Sequence, residues 1–182
     1  MTHLQVFRAM LLALALPLSA IAAEWHGTVV GVADGDTLTL LDASKTQHRI
    51  RLDGIDAPER TQPHGQRARQ SLAALAYGRT AHADCPKVDR YGRAVCRVYV
   101  DGVDVGLEQI RRGYAWHYAK YAHEQRAADR ERYARAENDA RAANIGLWSF
   151  SDPIPPWEYR RAPRGCCVLT SAVPEQRQKL GA

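Results

Sequence analysis

The order of short extended segments constrains the fold more than any other feature of this chain. Five segments have the composition of β-strands: 24–32, 36–41, 48–55, 80–85 and 94–100. Turn signals at Asp34-Gly35 and at 89–92 separate neighbouring segments. One helical pattern, 65–77, lies between the third and fourth segments and ends at Gly78. The sequence therefore predicts three strands, a helix and two further strands.

Five antiparallel strands with a helix between the third and fourth are the layout of a small Greek-key barrel, the OB-fold. Further helical patterns occur at 105–112 and 123–143. We predict an α+β chain that is mainly β, with a five-stranded OB-fold barrel and about three helices. Such barrels commonly bind oligonucleotides or oligosaccharides, but the fold alone does not define an activity.

The two ends of the chain differ from this central domain, which we assign to 24–150. Residues 1–23 hold a short apolar run, Met10–Leu18, followed by small residues, which is typical of a signal peptide, although a buried N-terminal helix is the alternative. The run is too short to span a bilayer, so the expected mature protein is exported, periplasmic or secreted, with no membrane span. The prolines of 151–182 predict a partly disordered tail without a regular element.

Composition excludes several classes of protein and limits how a polyanion could be bound. The 182 residues, 46% hydrophobic and 25% charged, suit one globular domain and disfavour disorder or a multi-span membrane protein. The net charge of +5 is small for this length. Affinity for phosphate must therefore come from locally placed arginines.

Five charged residues fall at strand ends that the predicted barrel brings together: Asp36, Arg51, Asp56, Glu59 and Arg93. Neighbouring carboxylates are costly unless they share a cation, and two arginines aimed the same way require an anion. A metal ion and a phosphate satisfy both requirements. The two aspartates offer the hard oxygen ligands that Ca²⁺ takes, the arginines can grip phosphate oxygens, and the glutamate can orient or deprotonate a water.

These residues lie in four short runs with a recognisable order: DGDT at 34–37, RLDGIDAPE at 51–59, DRYGR at 89–93 and NIGLW at 144–148. Each run alone is weak evidence. Together they resemble the thermonuclease family, whose type member is staphylococcal nuclease, over roughly 27–148.

The resemblance implies a Ca²⁺-dependent phosphodiesterase that cleaves DNA and RNA at the 5′-oxygen and leaves 3′-phosphates, with no obligate protein partner evident. Matching motif positions imply catalytic roles for Arg51, Glu59 and Arg93, metal ligation by Asp36, Asp56 and the carbonyl of Ala57, and substrate binding by Arg90, Tyr91 and Tyr118. At position 57 the type member has a threonine. The loop after Glu59 is also shorter here than in the type member.

Other interpretations of the same residues remain open. Taken singly, Asp36 is a turn residue, Arg51 a partner in a cross-strand pair and Glu59 a solvated loop carboxylate. A non-catalytic OB-fold module that binds single-stranded nucleic acid needs no acidic cluster, because unshared carboxylates repel phosphate. A carbohydrate-binding exported protein is supported only by the fold. Trp116 and Trp148 are expected to anchor the core.

Cysteine spacing gives a separate prediction, independent of the resemblance, since the type member lacks these cysteines. A hairpin centred between Arg90 and Tyr91 places Cys85 directly opposite Cys96, at a Cα separation suited to a disulfide. Two buried free thiols are the alternative, because a bulge or a one-residue slip would turn the side chains apart. Cys166-Cys167 lies in the tail.

Overall fold

The computed structural model describes residues 23–162. Except for Ala23, the predicted signal peptide lies outside the described residues, as does the tail from 163 onward with both of its cysteines. The strands are β1 (Ala23–Val32), β2 (Thr37–Asp42), β3 (Gln47–Leu52), β4 (Ile55–Asp56), β5 (Thr80–Val88), β6 (Ala94–Val100), β7 (Val103–Asp104) and β8 (Trp116–His117). The α-helices are α1 (Gly65–Ala76), α2 (Val105–Arg111), α3 (Ala127–Ala142) and α4 (Pro156–Tyr159), with 3-10 helices at Ala119–Glu124 and Gly146–Ser149.

Five strands close into a barrel, which confirms the predicted OB-fold. The main sheet has the order β3-β2-β1-β5-β6-β7, and β3 also pairs with β6 to complete the ring. That closing pair is parallel, with Ile50 beside Ala94, so the expectation of an entirely antiparallel set is wrong. The reason is the long connection between β3 and β6, which includes a helix and a strand and can therefore return the chain in the same direction.

The barrel interior is filled by alternate strand residues, which follow the period of two expected for a half-buried sheet. Val29, Leu38, Leu40, Ile50 and Val98 are all fully buried there. Helix α1 packs its apolar face against the same core, and its buried residues are Gly65, Ala68, Ser71, Leu72, Leu75 and Ala76.

A smaller cluster contains Trp116, Ala140, Leu147 and Trp148. Both tryptophans are buried, as the sequence predicted for core anchors. None of the helices within 23–162 has the length and apolar character needed to cross a bilayer.

The third predicted strand, 48–55, is in fact interrupted. β3 ends at Leu52, and Ile55–Asp56 pairs separately with Trp116–His117. Gly54 makes the break possible, because its φ of +73° is in the left-handed region and a Cβ there would lie 1.9 Å from the Gln125 side chain. An alternating sequence does not reveal such a break, and its consequence is that Asp56 turns back towards Arg51.

Two helix boundaries also differ from expectation. The predicted helix 123–143 begins only at Ala127, since the preceding residues form a 3-10 helix and Oε1 of Gln125 accepts a 2.8 Å hydrogen bond from Nε2 of His117. The tail was expected to have no regular element, yet Pro156–Tyr159 forms one helical turn. Pro156 stands at the start of that turn, where a missing N–H costs nothing.

The predicted disulfide between Cys85 and Cys96 is present, with Cα atoms 4.1 Å apart. The register of β5 against β6 does shift between Asp84 and Lys87, at the disulfide itself. The cysteines nevertheless face each other, so the alternative of two free thiols is wrong. The bridge lies at the base of the hairpin turn that carries Arg90, Tyr91 and Arg93.

Candidate active site

The loop between β1 and β2 holds Asp36 in a fixed position. Gly35 packs so closely that an added Cβ would lie 2.7 Å from the Cβ atoms of both Ala57 and Ala68. The buried side chain of Gln109 donates a 2.9 Å hydrogen bond to the Gly35 carbonyl and a 3.0 Å bond to the Ala68 carbonyl. Only glycine fits here, and the loop that presents Asp36 is therefore tied to helices α1 and α2.

The Asp36 carboxylate is buried and connects this loop to the segment that carries Asp56. Its Oδ1 accepts a 2.9 Å bond from the Thr37 hydroxyl, and its Oδ2 accepts a 3.0 Å bond from the backbone N–H of Ala57. The bond from Ala57 thus ties Asp36 to the residue directly after Asp56, the second predicted metal ligand.

Arg51 lies between the two aspartates. Its Nη2 is 3.0 Å from Oδ1 of Asp56 and 3.3 Å from Oδ2 of Asp36, so one nitrogen serves both carboxylates. Its Nη1 donates to the carbonyls of Leu52 and Ile55, at 3.3 and 3.0 Å. We call Asp36, Arg51 and Asp56 the acidic corner.

Burial and mutual charge shift the ionisation of this corner. Burial raises the pKa of Asp56, and the negative charge of Asp36 adds to that rise against the opposing effect of nearby guanidinium groups. Burial alone would lower the pKa of Arg51, but Asp36 and Asp56 outweigh it and raise the pKa. The adjacent Asp34 has its pKa raised to about 6, by burial first and then by the charge of Asp36. Buried carboxylates that repel one another favour the binding of further positive charge.

Glu59 is 37% exposed and lies beside the corner on the loop after Pro58. Its backbone N–H donates a 3.1 Å bond to Gln62, and its carboxylate forms an ion pair of 2.8 Å with Arg160. Arg160 also bonds Asp56, with Nη2 2.6 Å from Oδ2.

Sequence reasoning missed Arg160, because it lies in the segment that was set aside as a tail. The available signal was Trp157, three residues before Arg160, because a large aromatic side chain in a proline-rich segment indicates packing against the domain. The prolines of this segment predict no regular element, although a proline at the start of a helix permits a short one.

Arg93 binds a carboxylate that does not belong to the corner. Its guanidinium binds Asp89, with Nε 2.8 Å and Nη2 2.7 Å from Oδ2, in the turn between β5 and β6. Hydrogen bonds from Arg93 outweigh the effect of burial and lower the pKa of Asp89. Asp36, Arg51 and Asp56 contact one another directly, and Arg160 joins Glu59 to Asp56. Arg93 binds Asp89 at the start of the strand beside β3.

The predicted substrate-binding residues fall in two places. Arg90 and Tyr91 are exposed in the hairpin turn, with the Arg90 guanidinium 4.8 Å from the centre of the Tyr91 ring. Tyr118 lies near the corner, and the Arg51 guanidinium is 5.9 Å from its ring centre. On another side its ring stacks on Trp157 at 5.8 Å.

The donor set at the corner fits a hard divalent cation. Two buried carboxylates reach the same guanidinium nitrogen, and oxygen donors of this kind are those that Ca²⁺ and Mg²⁺ take in proteins. Asp36 and Asp56 would hold the ion, together with the main-chain carbonyl predicted at Ala57. No cysteine or histidine belongs to this set, which argues against zinc at the corner.

Comparison with known proteins agrees with the geometry. The family model described as "Staphylococcal nuclease homologue" matches residues 49–150. An uncharacterized endonuclease of Haemophilus influenzae is 37% identical over 133 residues, which cover 73% of this chain and 71% of that protein. An uncharacterized endonuclease of Escherichia coli O157:H7 is 39% identical over 141 residues, or 77% of this chain and 88% of that protein.

A plant protein shares the same region. Staphylococcal-like nuclease CAN1 of Arabidopsis thaliana is 40% identical over 117 residues, which cover 64% of this chain and 34% of that longer protein. The match by the family model, the extent of the bacterial relatives and the barrel that carries the acidic corner lead to one conclusion: the chain belongs to the staphylococcal nuclease family.

Proposed function

We propose that this protein is an exported, Ca²⁺-dependent phosphodiesterase that hydrolyses DNA and RNA with low sequence specificity and leaves 3′-phosphates. The coarser part of this statement, a nuclease that hydrolyses phosphodiester bonds, follows from membership of the family. The choice of ion, the two substrates, the position of cleavage and the export are the proposal.

The observation that carries the proposal is the acidic corner. Arg51 contacts two buried carboxylates through a single nitrogen, in a position fixed by hydrogen bonds to two carbonyls. Such an arrangement has little use in a protein that only binds polyanions, because the carboxylates oppose phosphate. It suits a reaction in which a cation and a phosphate meet.

The chain's own residues have distinct parts in this reaction. Asp36 and Asp56 would hold the cation, which would supply positive charge beside the phosphate. Nη2 of Arg51, which contacts both of these carboxylates, is placed to bind a phosphate oxygen. Arg51 then stabilises the negative charge that builds up on the equatorial oxygens as water attacks phosphorus. Arg93 exchanges Asp89 for a second phosphate oxygen. Glu59 orients the attacking water and accepts its proton.

The test uses purified mature protein, plasmid DNA and a defined RNA. We expect both nucleic acids to be cut with Ca²⁺ and neither to be cut with a calcium chelator. Labelled products should carry 3′-phosphates, which a 3′-phosphatase removes before a polymerase can extend the ends. The matched control is Asp101→Asn, since Asp101 is an exposed carboxylate whose ion pair is with Arg79, outside the corner.

Binding of single strands without cleavage, at any Ca²⁺ concentration, would support the non-catalytic alternative. Products with 5′-phosphates would reject the proposed position of cleavage while leaving a nuclease. Export has its own readout: N-terminal sequencing of protein from the periplasm or medium should begin near residue 23 or 24, and recovery of the full-length chain only from cytoplasm would reject it.

A further inference from the structure

The segment 153–162 packs against the candidate active site. Gln62 donates a 2.6 Å bond to the carbonyl of Ile154, and the Tyr159 hydroxyl lies 3.2 Å from the carbonyl oxygen of Thr61. Both partners belong to the short loop that carries Glu59. The Trp157 ring covers Tyr118 in a stacked geometry, with 13° between the planes.

Arg160 lies near the end of this docked segment and joins two carboxylates of the site. Nη1 is 2.8 Å from Oε1 of Glu59 and 3.2 Å from Oδ1 of Asp56, and Nη2 is 2.6 Å from Oδ2 of Asp56. Asp56 is fully buried, whereas the Glu59 side chain is 37% exposed. The planar guanidinium thus connects a buried carboxylate to a partly exposed one.

We propose that Arg160 is a positioning residue that holds the Glu59 carboxylate at a set distance from the metal-ligand carboxylate of Asp56. This inference rests on the proposed function, since it assigns Glu59 the role of general base. Glu59 follows a proline in a loop, and its carboxylate finds its ion-pair partner in Arg160 within the described residues. Without that partner the carboxylate samples several rotamers, and few of them reach a water beside the phosphate.

The charge of Arg160 supports the same role. A phosphate, an ionised Glu59 and the corner carboxylates all repel one another, and one guanidinium shared by Glu59 and Asp56 reduces that repulsion. Its side chain is 41% exposed, so it can follow Glu59 through small movements without being buried.

The experiment is a double-mutant cycle on cleavage with Arg160→Ala, Glu59→Gln and the two combined, in the full chain with saturating Ca²⁺. General bases contribute roughly 10²–10⁴-fold, so we expect Glu59→Gln to lower kcat by that order and Arg160→Ala by about 10-fold to 10²-fold. The combined variant should be no slower than Glu59→Gln alone, because Arg160 acts through Glu59. KM should change little, and Arg160→Lys should recover part of kcat.

Arg161→Ala is the matched control, since Arg161 is an exposed neighbour on the same segment. Ca²⁺ binding by calorimetry and the thermal midpoint give readouts that do not depend on activity. Arg160→Ala should retain the Ca²⁺ affinity of the wild type or increase it, because the variant lacks a positive charge that repels Ca²⁺ near Asp56. If Arg160 only holds the segment in place, Arg160→Ala should lower the thermal midpoint, and Trp157→Ala should lower kcat as much as Arg160→Ala does.

Each outcome is decisive. If the wild type does not cleave in Ca²⁺, the proposed function and this inference fail together. If the wild type cleaves and Arg160→Ala cleaves as fast or faster, the proposed function stands and the inference is overturned. Fully additive losses in the combined variant would also overturn it.

A second and independent cluster lies on the outer surface of the barrel, where β1 pairs with β5. His26 is directly opposite His82, and their rings stack at 4.5 Å. Glu24 is two residues before His26 on the same face, with Oε2 3.9 Å from Nε2 of His82. The three ligand atoms lie within 4.8 Å of one another.

The geometry points to a transition-metal site formed by Glu24, His26 and His82, for which Zn²⁺ is the first candidate. Two imidazoles, which are borderline ligands, together with one carboxylate form a donor set that Zn²⁺ takes, in contrast to the all-oxygen set of the corner. Zinc holds nitrogen donors at about 2.0–2.1 Å, so the side chains must close by roughly 1 Å, which their exposure allows. The ion would clamp the first strand of the barrel to β5.

The test titrates ZnCl₂ into full-length protein that carries Cys166→Ser and Cys167→Ser, with Ca²⁺ present to occupy the corner. We expect one zinc ion per chain, a thermal midpoint raised by zinc and restored by a zinc chelator, and affinity at least tenfold weaker in His82→Ala. His123→Ala is the control, since that histidine is exposed and outside the cluster. No saturable binding, or equal binding by His82→Ala, would overturn the assignment.

Discussion

The two arginines predicted to be catalytic are held in very different ways. Arg51, in the acidic corner, contacts two carboxylates and two carbonyls and is largely buried. Arg93, in the hairpin turn, is fixed by one carboxylate, Asp89, from the same turn. The corner is built from the loop between β1 and β2 and from β3 and β4, whereas residues 90–92 of the turn are exposed.

This difference separates two tasks that a phosphodiesterase must perform. A donor that is already in place stabilises developing charge without reorganisation at the moment of reaction. A donor on an exposed turn can close on a bound strand, at the cost of leaving its first partner. The comparison predicts that changes at the corner alter both metal binding and turnover, while changes at the turn leave metal binding intact.

The largest effect is expected from Asp56→Asn. This isosteric change removes one of two charged ligands, and Ca²⁺ affinity depends strongly on ligand charge. We expect no cleavage at Ca²⁺ concentrations that saturate the wild type, together with weaker Ca²⁺ binding in calorimetry. Asp89→Asn is the matched variant, because it removes the carboxylate that binds Arg93 as Asp56→Asn removes one of the two that bind Arg51, and it should retain Ca²⁺ affinity. Equal loss of Ca²⁺ binding in both variants would remove the distinction between corner and turn.

The next effect concerns the arginines themselves. Arg51→Lys and Arg93→Lys keep the charge but lose the planar fork, so each should lower kcat on the order of 10²-fold, as for loss of one preorganised donor. Arg51→Lys should in addition change Ca²⁺ affinity, since Asp36 and Asp56 lose their shared partner. The assignment fails for either arginine whose replacement raises KM and leaves kcat unchanged.

A smaller effect is expected from Cys85→Ala combined with Cys96→Ala. The bridge spans 11 residues in sequence, and on the chain-entropy model its loss costs roughly 2–3 kcal/mol of unfolding free energy. The ladder beyond it, with Lys87 opposite Val95, still aligns the turn, so kcat at low temperature should be retained. Denaturant unfolding with and without reductant measures the cost. A large fall in kcat would show that the turn depends on the bridge for its catalytic position.

How far the sequence predicts these regions depends on the range of the contacts. Strand order, the α1 face and the cysteine pair follow from local alternation and from hairpin symmetry, which a sequence displays directly. The corner was accessible for the same reason, because Arg51 and Asp56 are five residues apart and Asp36 follows a turn signal.

The parts that could not be predicted depend on long-range packing. The break at Gly54 coincides with the pairing of Ile55–Asp56 with β8, a long-range contact that local alternation does not encode. The bond from Arg160 to Asp56 joins residues 104 apart in sequence. Proline content predicted no regular element there, whereas Pro156–Tyr159 forms one helical turn, and it carries no information on whether a short segment docks onto a distant surface.

The smallest effect is expected at the tip of the turn, from Arg90→Ala and Tyr91→Ala. Tyr91 is 67% exposed, and the guanidinium of Arg90 rests on its ring, so both interact with solvent before any substrate arrives. Exposed charge and cation–π contacts contribute about 1 kcal/mol or less, which corresponds to a change in KM of about fivefold or less, with kcat unchanged. If Arg90 contacts a phosphate, its removal should also reduce the salt dependence of DNA binding by about one phosphate contact. Arg111→Ala, an exposed arginine on α2, is the control and should leave both quantities unchanged. A loss of kcat in Arg90→Ala as large as that in Arg93→Lys would place the tip of the turn at the reacting phosphate, and the turn would then match the corner in function despite its exposure.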